Sequence, residues 1–214
     1  MLLSLLIIGT WMLLVLSAAV ACRQQWPNRR ELSRKIMHIG TGPVVLLAWW
    51  RAIPASIAIP VAVVVTVITA ANHRWRVLPA IEDVDRNSYG TVAYGFAITL
   101  LLILYWPDQA MAVCAGVLVM ACADGMAGLV GRGMTSPHWI VWQQRKSMAG
   151  TITMGLVSAV VLLTLVLISQ SPLHPLRVIV VCGLAVGLEQ ISRWGVDNLS
   201  VPLAVGVSWA WMTG

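Results

Sequence analysis

Residues 110–131 read AMAVCAGVLVMACADGMAGLVG, and this stretch decides the fold class. Its only charged side chain is Asp124. An α-helix rises about 1.5 Å per residue, so a run of this length crosses the roughly 30 Å of hydrocarbon in a bilayer. The stretch therefore predicts a membrane-spanning helix with one acidic residue inside it.

Similar apolar runs recur along the whole chain. Of the 214 residues 59% are hydrophobic and 10% are charged, whereas soluble domains carry about 25% charged residues. The mean hydropathy is +0.84. We therefore predict an all-α, polytopic transmembrane helical bundle with seven or eight spans. The predicted spans are Leu2–Cys22, Ile36–Trp50, Ile53–Ala71, Thr91–Trp106, Ala110–Gly131, Thr151–Ser169 and Val178–Ile191, with Leu199–Met212 as an eighth span or a buried half-helix.

The basic residues predict how the bundle is oriented. Twelve of the 14 Lys and Arg residues fall in the odd-numbered connections, and only Arg51 and Arg177 fall in the even-numbered ones. By the positive-inside rule the odd connections face the cytoplasm and the N-terminus lies outside. The same rule accounts for the net charge of +6, so we do not expect a nucleic-acid partner.

We expect one integral-membrane domain over residues 1–214, with no internal repeat. Residues 1–22 are interpreted as a retained first span and not as a secretion signal, because no basic segment precedes the apolar run. Residues 23–203 form the motif-bearing core. Many of the 11 tryptophans fall near predicted span ends, where an indole sits at headgroup depth, and we interpret them as interfacial belts. These are Trp26, Trp49, Trp50, Trp75, Trp106, Trp139, Trp142 and Trp194.

Asp124 is the first candidate for chemistry. A carboxylate within an apolar span costs a few kcal/mol on insertion scales and marks a functional site by default. The alternative is a structural hydrogen bond between helices. Glycines follow it, with Arg132 among them: Gly125, Gly128, Gly131 and Gly133. Such glycines permit either close helix packing or the approach of backbone N–H groups to phosphate.

Residues 145–151 read RKSMAGT and precede a predicted span. Lys146 supplies a compact positive charge, and Ser147 and Thr151 supply hydroxyls. The N-terminus of the following helix would add a dipole that favours anions. The spacing is not that of a Walker A loop.

Two further segments carry charge at the same predicted membrane face. In residues 31–38, ELSRKIMH, helical spacing places Arg34, Lys35 and His38 on the face of Glu31; a snorkelling interfacial helix is the alternative. In residues 189–198, EQISRWGVDN, Glu189 and Asp197 add two carboxylates. Three carboxylates with several cations favour a Mg²⁺-bound polyphosphate. Three further acidic residues fit a solvated loop but could also contribute carboxylates to this site: Glu82, Asp83 and Asp85.

These patches, in this order, resemble the CTP-dependent polyprenol kinase family, which includes dolichol, farnesol and phytol kinases, and the resemblance is strongest to the phytol kinase branch. The residues between Arg132 and Lys146 depart from the family's usual Phe-Gly-rich form. The matching stretches are ELSRKIMH (31–38), RNSYGTVAY (86–94), ADGMAGLVGR (123–132), KSMAGT (146–151) and DNLSVPL (197–203).

The resemblance implies a membrane kinase that transfers the γ-phosphoryl group of CTP to the hydroxyl of an isoprenoid alcohol, such as phytol, geranylgeraniol, farnesol or a longer polyprenol. Asp124 and Asp197 would hold Mg²⁺, and Glu189 would be a further ligand or the base that orients the alcohol. The predicted catalytic set is completed by Lys146. Phosphate or nucleotide contacts would come from Arg34, Lys35, His38, Arg132, Lys146, Ser147, Gly150 and Thr151, with Asn198 orienting its neighbour.

Other functions fit parts of the pattern. A cytidylyltransferase of the CDP-diacylglycerol synthase type has a similar acidic–glycine–lysine layout and also uses CTP, but it usually has His-Gly-Gly near its C-terminal Asp, where this chain has Val196-Asp197-Asn198. A transporter or non-catalytic membrane scaffold would bind no nucleotide. The expected partners are CTP, the alcohol and membrane lipids. In a bacterium the expected location is the cytoplasmic membrane, with the active site facing the cytoplasm.

Overall fold

The predicted central run forms one continuous rod, Ala110–Gly133, at the middle of the fold. Every residue of its first part, Ala110–Leu118, is buried or nearly so, except Met111. The helices that pack around this part include those at Arg30–Trp50, Gly90–Tyr105, Met148–Ser169 and Asp197–Thr213. The carboxylate carried by this rod therefore lies inside the bundle, and the Asp124 side chain is only 14% exposed.

The computed structural model describes residues 1–75, 77, 89–171 and 175–213, and these are helical apart from one β-hairpin and the connections. A π-helical segment, Val119–Asp124, joins the two α-helical parts of the central rod, Ala110–Leu118 and Gly125–Gly133. The helices are α1 Leu2–Gln25, α2 Arg30–Trp50, α3 Ala55–Trp75, α4 Gly90–Tyr105, α5 Ala110–Leu118, α6 Gly125–Gly133, α7 Met148–Ser169, α8 Pro175–Ile191 and α9 Asp197–Thr213; the strands are β1 His138–Val141 and β2 Gln144–Ser147.

Four of the described helices are long and apolar enough to cross a membrane: α1, α3, α7 and the central rod. In α3 only Asn72 is buried and the other residues are exposed or half-buried, as expected of a helix that faces lipid. The chain is therefore a helical membrane protein. The last apolar stretch forms the continuous helix α9, which packs so closely on α5 that a Cβ on Gly206 would lie 3.0 Å from the Ala112 carbonyl oxygen.

The hairpin was not predicted. Strands β1 and β2 are antiparallel, with Val141 opposite Gln144, so Trp142 and Gln143 form a two-residue turn. Each strand has only four residues, and the turn lacks the Asn-Gly or Asp-Gly pair that usually signals a hairpin. The sequence therefore carried no recognisable strand signal.

Trp106 corrects the interpretation of the tryptophans. Its side chain is buried, and its Nε1 donates to the Ile53 carbonyl oxygen at 2.8 Å. It is a core residue that joins the α4 end to the α2–α3 connection, and not part of an interfacial belt. The acidic residues Glu82, Asp83 and Asp85 lie outside the described residues.

Candidate active site

The π-helical segment places Asp124 opposite Lys35 of α2. The Lys35 Nζ donates to the Asp124 Oδ2 at 2.6 Å and to the Asp124 carbonyl oxygen at 3.1 Å. Lys35 is only 3% exposed. Its side chain runs across Gly128, where an added Cβ would lie 2.8 Å from the lysine Cε, so the glycine makes room for the lysine.

His38 lies beneath this pair. Its Nε2 is 3.4 Å from the Asp124 Oδ2 and 3.1 Å from the Met120 carbonyl oxygen. The ring also contacts Tyr94, with 4.6 Å between centroids. His38 is thus in contact with Asp124 from the interior, away from the cavity wall described below.

A second lysine–carboxylate pair repeats the first on different elements. Lys146 of β2 binds Glu189 of α8 through one carboxylate oxygen, and its Nζ donates to the Glu189 carbonyl oxygen at 2.7 Å. Gln190 supports this carboxylate: its Nε2 donates to the Glu189 Oε2 at 2.8 Å and to the Thr151 Oγ1 at 2.9 Å. Gln190 also accepts from the Trp139 Nε1 at 3.2 Å. The sequence motif contained Gln190, but nothing in it indicated this role.

Asp197 completes a group of three carboxylates at the first residue of α9. The backbone N of Asn198 donates to its Oδ1 at 3.1 Å, and the Asn198 amide Nδ2 lies 3.3 Å from the same oxygen. One oxygen each of Asp124, Glu189 and Asp197 lie within 4.8 Å of one another. We call these three residues the carboxylate cluster. Carboxylates so close repel each other unless cations lie between them, and hard oxygen ligands suit Mg²⁺.

Beside the carboxylate cluster lies the start of α7. Ser147 is its N-cap residue, and its Oγ accepts from the Gly150 backbone N at 3.2 Å. The Thr151 Oγ1 donates to the Ser147 carbonyl oxygen at 3.0 Å. The positive end of the helix dipole therefore faces the same space as the two lysines, and it favours an anion there.

A third charged group lies further out. Glu31 accepts from Arg34 at 2.8 and 3.1 Å, and its other oxygen lies 3.3 Å from the Arg132 Nη1. We call Glu31, Arg34 and Arg132 the arginine cluster. Burial alone would raise the pKa of Glu31, but the two guanidinium groups outweigh it and lower that pKa to about 2. Glu31 precedes the apolar part of α2.

A cavity of about 780 Å³ connects the carboxylate cluster, the two lysines, the start of α7 and the two arginines of the arginine cluster, and Glu31 lies outside its lining. This volume is typical of a small-molecule site. Every residue predicted for the site lines it, apart from His38; the lining includes Arg34, Lys35, Asp124, Arg132, Lys146, Ser147, Gly150, Thr151, Glu189, Asp197 and Asn198. Residues up to 164 positions apart in sequence, from Arg34 to Asn198, thus come together around one space.

The cavity is also lined by residues that were not predicted as part of the site. Trp142, Gln143 and Gln144 of the hairpin line it, as do Gln190 and Trp194. Two of the tryptophans interpreted as belt residues are therefore at the candidate site.

Comparison with known proteins gives one relative with a curated name. A protein of Synechocystis sp. (strain ATCC 27184 / PCC 6803 / Kazusa) called phytol kinase is 41% identical over 186 residues, which cover 84% of this chain and 79% of that protein. No sequence-family model matches the chain. No solved structure matches it either.

Proposed function

This chain belongs to the phytol kinase family, and we propose that it transfers the γ-phosphoryl group of CTP to the hydroxyl of an isoprenoid alcohol. The products are CDP and the prenyl monophosphate. The observation that carries the proposal is the carboxylate cluster with two buried lysines in one cavity, because this set suits a metal-bound nucleotide. The relative named phytol kinase supports the choice of acceptor.

The carboxylate cluster fits a divalent metal, since its three oxygens lie close together beside the cavity. In our proposal Asp124 and Asp197 hold Mg²⁺, and Glu189 is a further ligand or the base that orients the alcohol. Bound Mg²⁺ would neutralise charge on the transferring phosphoryl group. Asn198 keeps the Asp197 carboxylate in place through the two hydrogen bonds described above.

The two lysines are suited to phosphate oxygens. An ammonium group has three N–H donors. Lys35 directs two of them to Asp124, and Lys146 directs two to Glu189, which leaves one donor on each for a ligand. In our proposal these donors, Arg34, Arg132 and the start of α7 hold the triphosphate, while His38 supports Asp124 from behind.

A site at the membrane surface, as we propose, suits a water-borne nucleotide and a lipid acceptor. A prenyl alcohol dissolves in the bilayer with its hydroxyl at headgroup depth, and CTP reaches the site from water. We propose that the chain is a single domain with seven or eight spans, an N-terminus outside and an active site facing the cytoplasm. In a bacterium it would reside in the cytoplasmic membrane.

The proposal is tested by product analysis. Membranes containing the protein are incubated with CTP labelled at the γ-phosphate, Mg²⁺ and phytol, geranylgeraniol or farnesol, with membranes lacking the protein as the control. We expect labelled prenyl monophosphate, formed one-for-one with CDP and lost on addition of EDTA. The other nucleoside triphosphates, tested in parallel, establish the preference for CTP.

Two results would contradict the proposal. Release of pyrophosphate with a CDP-lipid would identify a cytidylyltransferase instead. Absence of label transfer and of nucleotide binding, with correctly inserted protein, would favour a transporter or scaffold.

A further inference from the structure

Two indole side chains share the cavity with the phosphate-binding groups. Trp142 lies at the tip of the hairpin and Trp194 lies in the connection between α8 and α9. They are 62% and 56% exposed, and both line the cavity. Part of the accessible surface of each ring therefore borders the space that the triphosphate would enter.

The backbone at both positions is in a conformation that bulky residues seldom adopt. The φ angle is 49° at Trp142 and 54° at Trp194. Gln143, the second residue of the hairpin turn, has a φ of 65°. Turns of this kind normally take Asn or Gly, so a tryptophan is unfavourable for folding at either place. Unfavourable backbone conformations of this type cluster at functional sites.

Two contacts also restrict Trp194. The Arg193 Cζ lies 4.0 Å from the centroid of its ring, so a guanidinium group covers part of one face. The Trp194 carbonyl oxygen accepts from the Tyr89 backbone N at 3.1 Å, which fixes the peptide that carries the ring. An indole oriented in this way can stack on a planar ligand at little cost in side-chain entropy.

The hairpin sets a spacing between Trp142 and the phosphate-binding lysine. Lys146 is the strand partner of Trp139, and Trp142 lies three residues further along the chain. At the rise of a strand, the Trp142 Cα is therefore about 10 Å beyond the Trp139–Lys146 pair. This separation is comparable to the reach of a nucleoside triphosphate from its terminal phosphate across the ribose to the base. Gln143 and Gln144, between the two, offer amide donors and acceptors to the edge of a base.

We propose that Trp142 and Trp194 form the subsite for the nucleobase of the phosphoryl donor. The inference rests on the proposed function, since it supposes a nucleotide whose phosphates lie at Lys35 and Lys146. Stacking on aromatic rings accepts any base, because every base has a π face. The glutamines of the hairpin are then the groups that can distinguish one base from another.

The experiment compares Trp142→Ala and Trp194→Ala with Trp211→Ala, which changes an 80% exposed tryptophan near the end of α9. The KM for CTP is measured in the kinase assay, together with the inhibition constant of inorganic tripolyphosphate, which carries the phosphates but no base. We expect a roughly tenfold rise in the KM for CTP in the first two variants, as for the loss of one base–aromatic stack. Tripolyphosphate inhibition should stay at the wild-type value, and Trp211→Ala should match wild type in both.

The variants Trp142→Phe and Trp194→Phe separate a loss of stacking from misfolding, because a phenyl ring can still stack on a base. We expect them to recover most of the affinity for CTP. A rise in either alanine variant supports the subsite and identifies the ring involved. An unchanged KM for CTP in both would overturn it and would indicate that these rings only anchor the protein at the membrane interface. Parallel losses for CTP and tripolyphosphate that phenylalanine does not restore would also overturn it. Failure of the wild-type protein to use CTP would instead contradict the proposed function.

Discussion

The carboxylate cluster with its two lysines and the two arginines of the arginine cluster line the same cavity, but the two groups differ in burial and in the balance of charge. The Lys35 and Asp124 side chains are 4% and 14% exposed, whereas in the arginine cluster Arg34 and Glu31 are 13% and 23% exposed and only Arg132, at 51%, is open to water. Carboxylates outnumber lysines in the first group, and cations outnumber the carboxylate in the second. The carboxylate cluster therefore suits a metal ion, and the arginine cluster suits the anion to which that metal is bound.

Burial also sets how strongly each group depends on its partners. Removing one partner of a buried pair leaves an uncompensated charge and costs about 3–5 kcal/mol. Exposed pairs contribute about 0–1 kcal/mol, because water and salt screen them. Substitutions in the buried group should thus affect both folding and catalysis, and those in the outer group should affect mainly the affinity for nucleotide.

Asp124→Asn should have the largest effect. It keeps the size of the side chain but removes a proposed metal ligand, and charge stabilisation by the metal is worth several kcal/mol. We expect CTP-dependent phosphorylation to fall by about three orders of magnitude. The matched control is Asp108→Asn, at an exposed aspartate just before the central rod and about 20 Å from Asp124 along it.

Stability must be separated from catalysis in this variant, because Asp124→Asn leaves the Lys35 ammonium without its carboxylate. The double variant Lys35→Met/Asp124→Asn removes both charges. Thermal unfolding in detergent should show a loss of stability for the single variant and recovery for the double one, while activity stays at least about a thousandfold below wild type in both. Robust phosphorylation by folded Asp124→Asn protein would remove Asp124 from the mechanism.

Most of the helices could be predicted from the sequence, because apolar runs of this length have few other structures available. The run at 110–131 forms the central rod, and the run at 199–212 forms α9. The predicted start at Ile53 was early by two residues, since Pro54 precedes the helix. The π-helical segment at Asp124 could not be predicted, because it depends on packing against α2 and α7 and not on local composition.

The candidate site was predictable where a charged residue interrupts apolar sequence. Asp124 and Glu189 stood out for that reason, and the structure places both in the cavity wall. The partner of each lysine could not be predicted, since Lys35 and Asp124 are 89 positions apart. The sequence offered Glu31 as the neighbour of Arg34 on one helix, which is confirmed, but its second contact with Arg132 joins two helices.

Arg132→Gln should have an intermediate effect. Arg132 is half exposed and lines the cavity, so we propose that it contacts the triphosphate without touching the carboxylate cluster. We expect the KM for CTP to rise about tenfold, as for one charge-assisted hydrogen bond, with kcat within about twofold of wild type. The control is Arg177→Gln. Arg177 lies near the start of α8, at the end opposite to Glu189, and donates to the Met212 carbonyl oxygen.

The dependence of KM on salt concentration gives a second test of this prediction. The difference in KM between wild type and Arg132→Gln should shrink as ionic strength rises, since an exposed charge is screened. A loss confined to kcat would contradict the assignment, because it would place Arg132 with the groups that act only in the transition state.

Glu31→Gln should have the smallest effect. The low pKa of Glu31 means that its ion pairs stabilise the fold at any pH above the ordinary carboxyl value of 4.5 and are lost only as the pH falls toward about 2. Glu31 therefore stays ionised throughout an assay between pH 6 and 9. Because the Arg34–Glu31 pair is partly buried, we expect the variant to lose about 1–3 kcal/mol of unfolding free energy and to lie within about fivefold of wild type in the KM for CTP. Both differences should be constant across that pH range. A difference that grows or vanishes between pH 6 and 9 would show that Glu31 titrates there, and that the arginine cluster is held by contacts other than those to Arg34 and Arg132.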